Sequence, residues 1–96
     1  MLYDPKWEQK TETKPSLAGL IAWLERQPAD TRYDWMNALG CVMGQYLRAT
    51  RMTDNAAIVQ LSLKLTKQEP FQTIALGGLD SRYTFGAALE RARAAL

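Results

Sequence analysis

Few residues in this chain are equipped for chemistry. It has one cysteine, Cys41, ten carboxylates and no histidine. That composition removes the commonest general base near neutral pH, the Ser-His-Asp and Cys-His nucleophile systems, and the usual zinc-ligand sets. A catalytic cysteine needs a neighbour that lowers its pKa, and without histidine Cys41 reads as a buried structural thiol. Asp30 and Asp34 are near each other in sequence, but a glycosidase-type carboxylate pair needs a substrate groove that a chain of 96 residues can hardly build. The acidic residues have no EF-hand spacing. Gly77-Gly78-Leu79-Asp80 lacks the lysine of a phosphate loop and the spacing of a dinucleotide fingerprint, and reads as a turn. The expectation is therefore no enzyme, no metal site and no cofactor.

Recognition is the alternative to catalysis, and two groups of residues suit it. Tyr33-Asp34-Trp35 places two aromatics around a carboxylate. It reads either as an interface anchor, since Trp and Tyr dominate binding hot spots, or as core filling by Trp35 with Asp34 capping a helix. The second group is basic. Residues 35–96 hold Arg48, Arg51, Lys64, Lys67, Arg82, Arg91 and Arg93 against Asp54, Glu69, Asp80 and Glu90, while residues 1–34 are slightly acidic. Arg48 and Arg51 can grip phosphate or a carboxylate patch, or simply complement a helix C-terminus. With a net charge of only +2 and no helix-turn-helix pattern, nucleic acid is the secondary reading, through Arg48, Arg51, Lys64 and Lys67.

The elements that must position these residues follow from the pattern. In residues 1–14, Asp4, Lys6, Glu8, Lys10, Glu12 and Lys14 alternate in sign on even positions. As a helix every i,i+4 pair would be like-charged, so the segment is expected to be an extended or flexible arm, pinned by Tyr3 and Trp7. Residues 15–96 are expected to form one small domain. Pro15 opens a first helix with Leu17, Leu20, Ile21 and Leu24 on one stripe and Trp23 at its edge, and Pro28 stops it. Thr31–Trp35 reads as a short strand or lead-in. Asn37 caps a second helix with Leu39, Val42, Met43, Tyr46 and Leu47 on its stripe, and Gly40, Cys41 and Gly44 make a small-residue face for the first helix to approach. In residues 57–66, Val59, Leu61, Leu63 and Leu65 alternate with Gln60, Ser62, Lys64 and Thr66, which favours a half-buried strand over a helix. A short piece follows Glu69-Pro70, and Thr84 caps a final helix with Phe85, Ala88, Leu89, Ala92 and Leu96 on one face. The fold class expected is α+β, helix-dominated, with three main helices and room for a small sheet.

No apolar run approaches the roughly 20 residues of a membrane span, and the first residues do not form a signal peptide. A lone cysteine fits a reducing compartment, so a cytoplasmic location without membrane contact is expected. A homodimer through the Gly40/Gly44 face, or through the edge of a strand at 59–65, stays open.

The segment Leu20-Ile21-Ala22-Trp23-Leu24-Glu25-x-Gln27-Pro28-Ala29-Asp30, with Tyr33-Asp34-Trp35, Cys41 and Gln45-Tyr46-Leu47, resembles small proteins of phages and prophages. So does the ending Ile74-Ala75-x-Gly77 with Tyr83-Thr84-Phe85-Gly86-Ala87-Ala88-Leu89-Glu90-Arg91-Ala92. The resemblance covers residues 16–47 and 71–93 and carries over no catalytic residue. It implies a non-enzymatic accessory protein of a mobile element, one that binds and blocks a host machine such as a CRISPR-Cas complex, as anti-CRISPR proteins do. Tyr33, Trp35, Arg48, Arg51, Lys64 and Lys67 are the partner-binding candidates.

Overall fold

The computed structural model describes residues 15–75 and 83–96. The expected extended arm at 1–14 and the turn at Gly77-Gly78 lie outside them. Five helices run in order through the described residues: α1 (Leu17–Glu25), α2 (Val42–Ala49), α3 (Asn55–Thr66), α4 (Phe71–Ala75) and α5 (Phe85–Ala94). The helices pack α1 on α5, α5 on α4, α4 on both α3 and α2, and α3 on α2.

The expected sheet is absent from the described residues, which correct the fold class to all-helical. Among the described residues the only pairing of extended backbone is an isolated antiparallel bridge between Arg32 and Thr84. Around it the Tyr33 amide donates to the Tyr83 carbonyl at 2.7 Å, and the Phe85 amide donates to the Thr31 carbonyl at 2.9 Å. This short contact docks the segment after α1 against the start of α5.

The strand expected at 57–66 is helix α3. Its Asp54 carboxylate accepts from the amides of Ala56 and Ala57, closing off two otherwise orphaned donors. The helix buries Ile58, Ser62 and Leu65, a spacing of four and three, and leaves Leu63 outside. Leucine suits a helix as well as a strand, so the alternation of leucines did not carry the structural information assigned to it.

Helix starts are also displaced from expectation. Helix α1 opens at Leu17 and not at Pro15, and Ser16 caps it, its hydroxyl accepting from the Gly19 amide at 3.0 Å. Asn37 does not cap α2. Its side chain accepts from the Leu39 amide at 2.9 Å inside a turn spanning residues 35–40, and Cys41 caps the helix instead. Gly44 meets that turn rather than α1. A Cβ there would fall on the Ala38 carbonyl oxygen, so only glycine lets the first turn of α2 lie against the preceding backbone. Past α2, Thr50 is followed by Arg51 at φ 73°, the left-handed position usually given to glycine.

The core is one cluster drawn from every helix. Trp23 sits within it, not at the edge of the α1 stripe, whereas Leu96 is exposed despite its place in the α5 pattern. A row of rings crosses the cluster. Tyr46 meets Trp23 at 5.8 Å, Trp23 meets Phe85 at 5.6 Å, Phe85 meets Tyr33 at 5.8 Å, Tyr33 meets Tyr83 at 6.1 Å, and Tyr83 meets Trp35 at 5.9 Å. These are tilted or edge-on approaches within the range where aromatic pairs attract.

Candidate functional site

The turn after Asp34 and the C-terminal half of α3 form the two walls of an open cleft of about 280 Å³. Trp35, Met36 and Ala38 contribute the turn wall. Ser62, Leu63 and Thr66 contribute the helix wall. Cys41 and Ser62 meet between them, and Ala75 at the end of α4 completes the lining.

Each wall is fixed by local chemistry. The Asp34 carboxylate accepts from the Met36 amide at 3.1 Å, which starts the turn and directs the next residues outward. Trp35 is half-buried because its ring leans on Tyr83. On α3, positions 62, 63 and 66 fall on adjacent faces of the helical surface, so they line one groove.

The Cys41 thiol is 3% exposed and Ser62 is 1% exposed. The sulfur lies 3.2 Å from the Ala38 carbonyl, 3.0 Å from the Ser62 hydroxyl and 3.3 Å from the Gly44 amide. With the thiol proton on the Ala38 carbonyl, the Ser62 hydroxyl and the Gly44 amide both donate to sulfur. None of these partners is a base that removes a thiol proton. The arrangement is a capped helix start tied to α3.

Exposed apolar surface flanks the cleft. Met36 is 78% exposed and Leu63 is 49% exposed. Fully burying such a side chain is worth about 1.5–3 kcal/mol, so the fold forgoes a substantial part of that at two adjacent positions.

The six candidate residues separate into three places. Tyr33 is 4% exposed and points into the core. Its hydroxyl accepts from the Arg91 guanidinium at 2.7 Å and lies 3.5 Å from the Ala75 carbonyl, while Arg91 also donates to the Ile74 carbonyl at 3.0 Å. Burial raises the Tyr33 pKa above its ordinary value, and the adjacent Arg91 charge opposes that rise without cancelling it. Trp35 stands in the cleft wall. Lys64 and Lys67 are exposed at the same end of α3 as the cleft, with Lys67 one helical turn beyond Leu63. Arg48 and Arg51 are exposed at the other end, where the Arg48 guanidinium donates to Asn55 at 3.3 Å. Asn55 and Lys64 are nine positions apart on one helix, about 13 Å along its axis. The four basic residues therefore form two pairs, not one patch.

Met36, Leu63, Cys41 and Ser62 were not among the sequence candidates. Met36 adjoins Trp35, but nothing in its neighbourhood marks it as exposed, and the alternation at 59–65 puts Leu63 on the buried side of a strand. Among the described residues no group of three or more His, Cys, Asp or Glu is arranged to hold a metal ion, and no helix is long and apolar enough to cross a membrane. Comparison with known proteins finds no matching family model, no similar curated protein and no similar solved structure.

Proposed function

We propose that this chain is a non-enzymatic accessory protein of a phage or other mobile element that binds a larger host protein complex and blocks one of its surfaces. CRISPR-Cas complexes are one such class of target. The observation that supports it is the exposure of Met36 and Leu63 beside a cleft with a tryptophan wall. Methionine and aromatic side chains are the adaptable, high-contact residues of binding surfaces. At about 280 Å³ the cleft is slightly smaller than the roughly 300–1,000 Å³ of small-molecule sites, and it is open. Its dimensions suit one apolar side chain of a protein partner. The resemblance to small phage proteins, carried by the residues around Trp23 and Trp35, points the same way.

Affinity capture of the tagged chain from a bacterial lysate, in the presence of nuclease, tests this reading. A specific protein partner is expected, and Met36→Asp or Leu63→Asp is expected to abolish its recovery while an Arg48→Ala/Arg51→Ala variant retains it. Recovery that disappears with nuclease, or that is indifferent to both cleft substitutions, would count against the proposal.

A further inference from the structure

We propose that Met36 is a reversible oxidation site, whose thioether a peroxide converts to the sulfoxide while the fold stays intact. The fold presents its methionines to solvent very unequally. Met36 is 78% exposed, whereas Met43 is 0% and Met52 is 3% exposed, and Met1 lies outside the described residues. An oxidant must touch the sulfur to react, so exposure ranks the three. Cys41 is the other sulfur in the region. It is 3% exposed and lies against the Ala38 carbonyl, the Ser62 hydroxyl and the Gly44 amide, which shields it from the same reagent.

The step needs only a peroxide. The sulfur lone pair attacks one peroxide oxygen, an S–O bond forms and the O–O bond breaks. The proton on the transferred oxygen passes to the departing one, which leaves as water when the oxidant is hydrogen peroxide. Sulfur loses two electrons and the peroxide gains them. Two thiols of a methionine sulfoxide reductase reverse the change: they supply two electrons, form a disulfide, and the oxygen leaves as water.

The turn tolerates the new oxygen because its backbone holds it. The Met36 and Asn37 amides donate to the Asp34 carboxylate and carbonyl, each at 3.1 Å, and the Met36 side chain stands mostly in solvent. A sulfoxide there meets water, whereas at Met43 it would set a polar oxygen inside the core. Since Met36 lines the cleft, oxidation changes that stretch of the wall from apolar to polar.

Peptide mapping of the full chain after timed exposure to hydrogen peroxide tests the inference. Trypsin leaves Met36, Cys41 and Met43 on the peptide 33–48 and Met52 on another, and fragment masses assign each oxygen. Met36 is expected to take up oxygen about tenfold or more faster than Met43 or Met52 in the folded chain, and at a similar rate to them in denaturant. The melting temperature is expected to be unchanged when Met36 alone is oxidised. Sulfoxide reductases with dithiothreitol are expected to remove the oxygen from the folded protein, and Met36→Leu is expected to abolish early oxygen uptake in peptide 33–48. Oxygen arriving first on Met43, Met52 or Cys41 overturns the proposal. A preference for Met36 that persists in denaturant overturns it too, because the fold is then not its cause. So does a melting temperature that falls as Met36 is oxidised, or an oxygen that the reductases leave in place.

Discussion

At the residue scale, Tyr33 shows how an aromatic chosen as a surface candidate becomes structural. Its ring touches Phe85 and Tyr83, and its hydroxyl joins Arg91 to the end of α4. Arg91 in turn donates to the Ile74 carbonyl, one of the acceptors that a helix leaves open at its C-terminus. Because burial raises the pKa of Tyr33, the folded chain holds the phenol proton more tightly than the unfolded chain, whose value is 10.0. The unfolded state then binds fewer protons above pH 10, so stability declines as pH rises. The contribution is fully present below pH 10 and is lost as pH climbs through the raised folded value. Tyr33→Phe is expected to cost about 1–2 kcal/mol near neutral pH, from the lost hydrogen bonds, and to flatten the fall in melting temperature above pH 10. Thermal denaturation of both proteins across that range is the measurement. An identical pH profile in the two would show that Tyr33 does not carry the effect.

At the scale of elements, the two ends of α2 show what was legible and what was not. The first and last helices were readable from their apolar stripes and from one terminus each: Thr84 does cap α5, accepting from the Ala87 amide at 3.2 Å, and Pro28 does follow the end of α1. The start of α2 was not readable, since a thiol does the capping there, and asparagine, a far commoner cap, lies four residues earlier. The pattern of α3 misleads because one valine and three leucines alternate while the burial that matters runs through Ile58, Ser62 and Leu65. A serine at a buried position of α3 is intelligible only once Cys41 is opposite it, a contact 21 residues away in sequence. The cleft shared this opacity, because each wall comes from a segment whose conformation was assigned differently. Two substitutions probe the ends of α2. Gly44→Ala is expected to destabilise by about 1–3 kcal/mol, because the added methyl meets backbone that must move. Arg51→Gly is expected to stabilise by about 0.5–1 kcal/mol by relieving the left-handed strain, despite the entropy glycine adds to the unfolded chain. Denaturant titration of each measures the sign. A destabilised Arg51→Gly would mean that the arginine makes a contact outweighing its backbone strain.

At the scale of the molecule, the five helices have no separate cores. α1 and α5 form one pair and α2 and α3 another, with α4 between α3 and α5. The ring row crosses this boundary at Trp23, which touches Tyr46 of α2 and Phe85 of α5. One cooperative transition is therefore expected, with tryptophan fluorescence and far-ultraviolet circular dichroism melting together. Separate midpoints would show that the two helix pairs unfold as independent units. The same row ends at Trp35, whose ring is backed by Tyr83 and, through it, by the interior. The cleft wall is thus held in place before anything arrives. A partner of the kind proposed would meet a fixed surface and need not freeze a loose one, which would spare its complex an entropic penalty of about 0.5–1.5 kcal/mol for each side chain already immobilised. Mutations that loosen the interior at Phe85 or Tyr33, far from any contact with an occupant, would then shorten the lifetime of the complex.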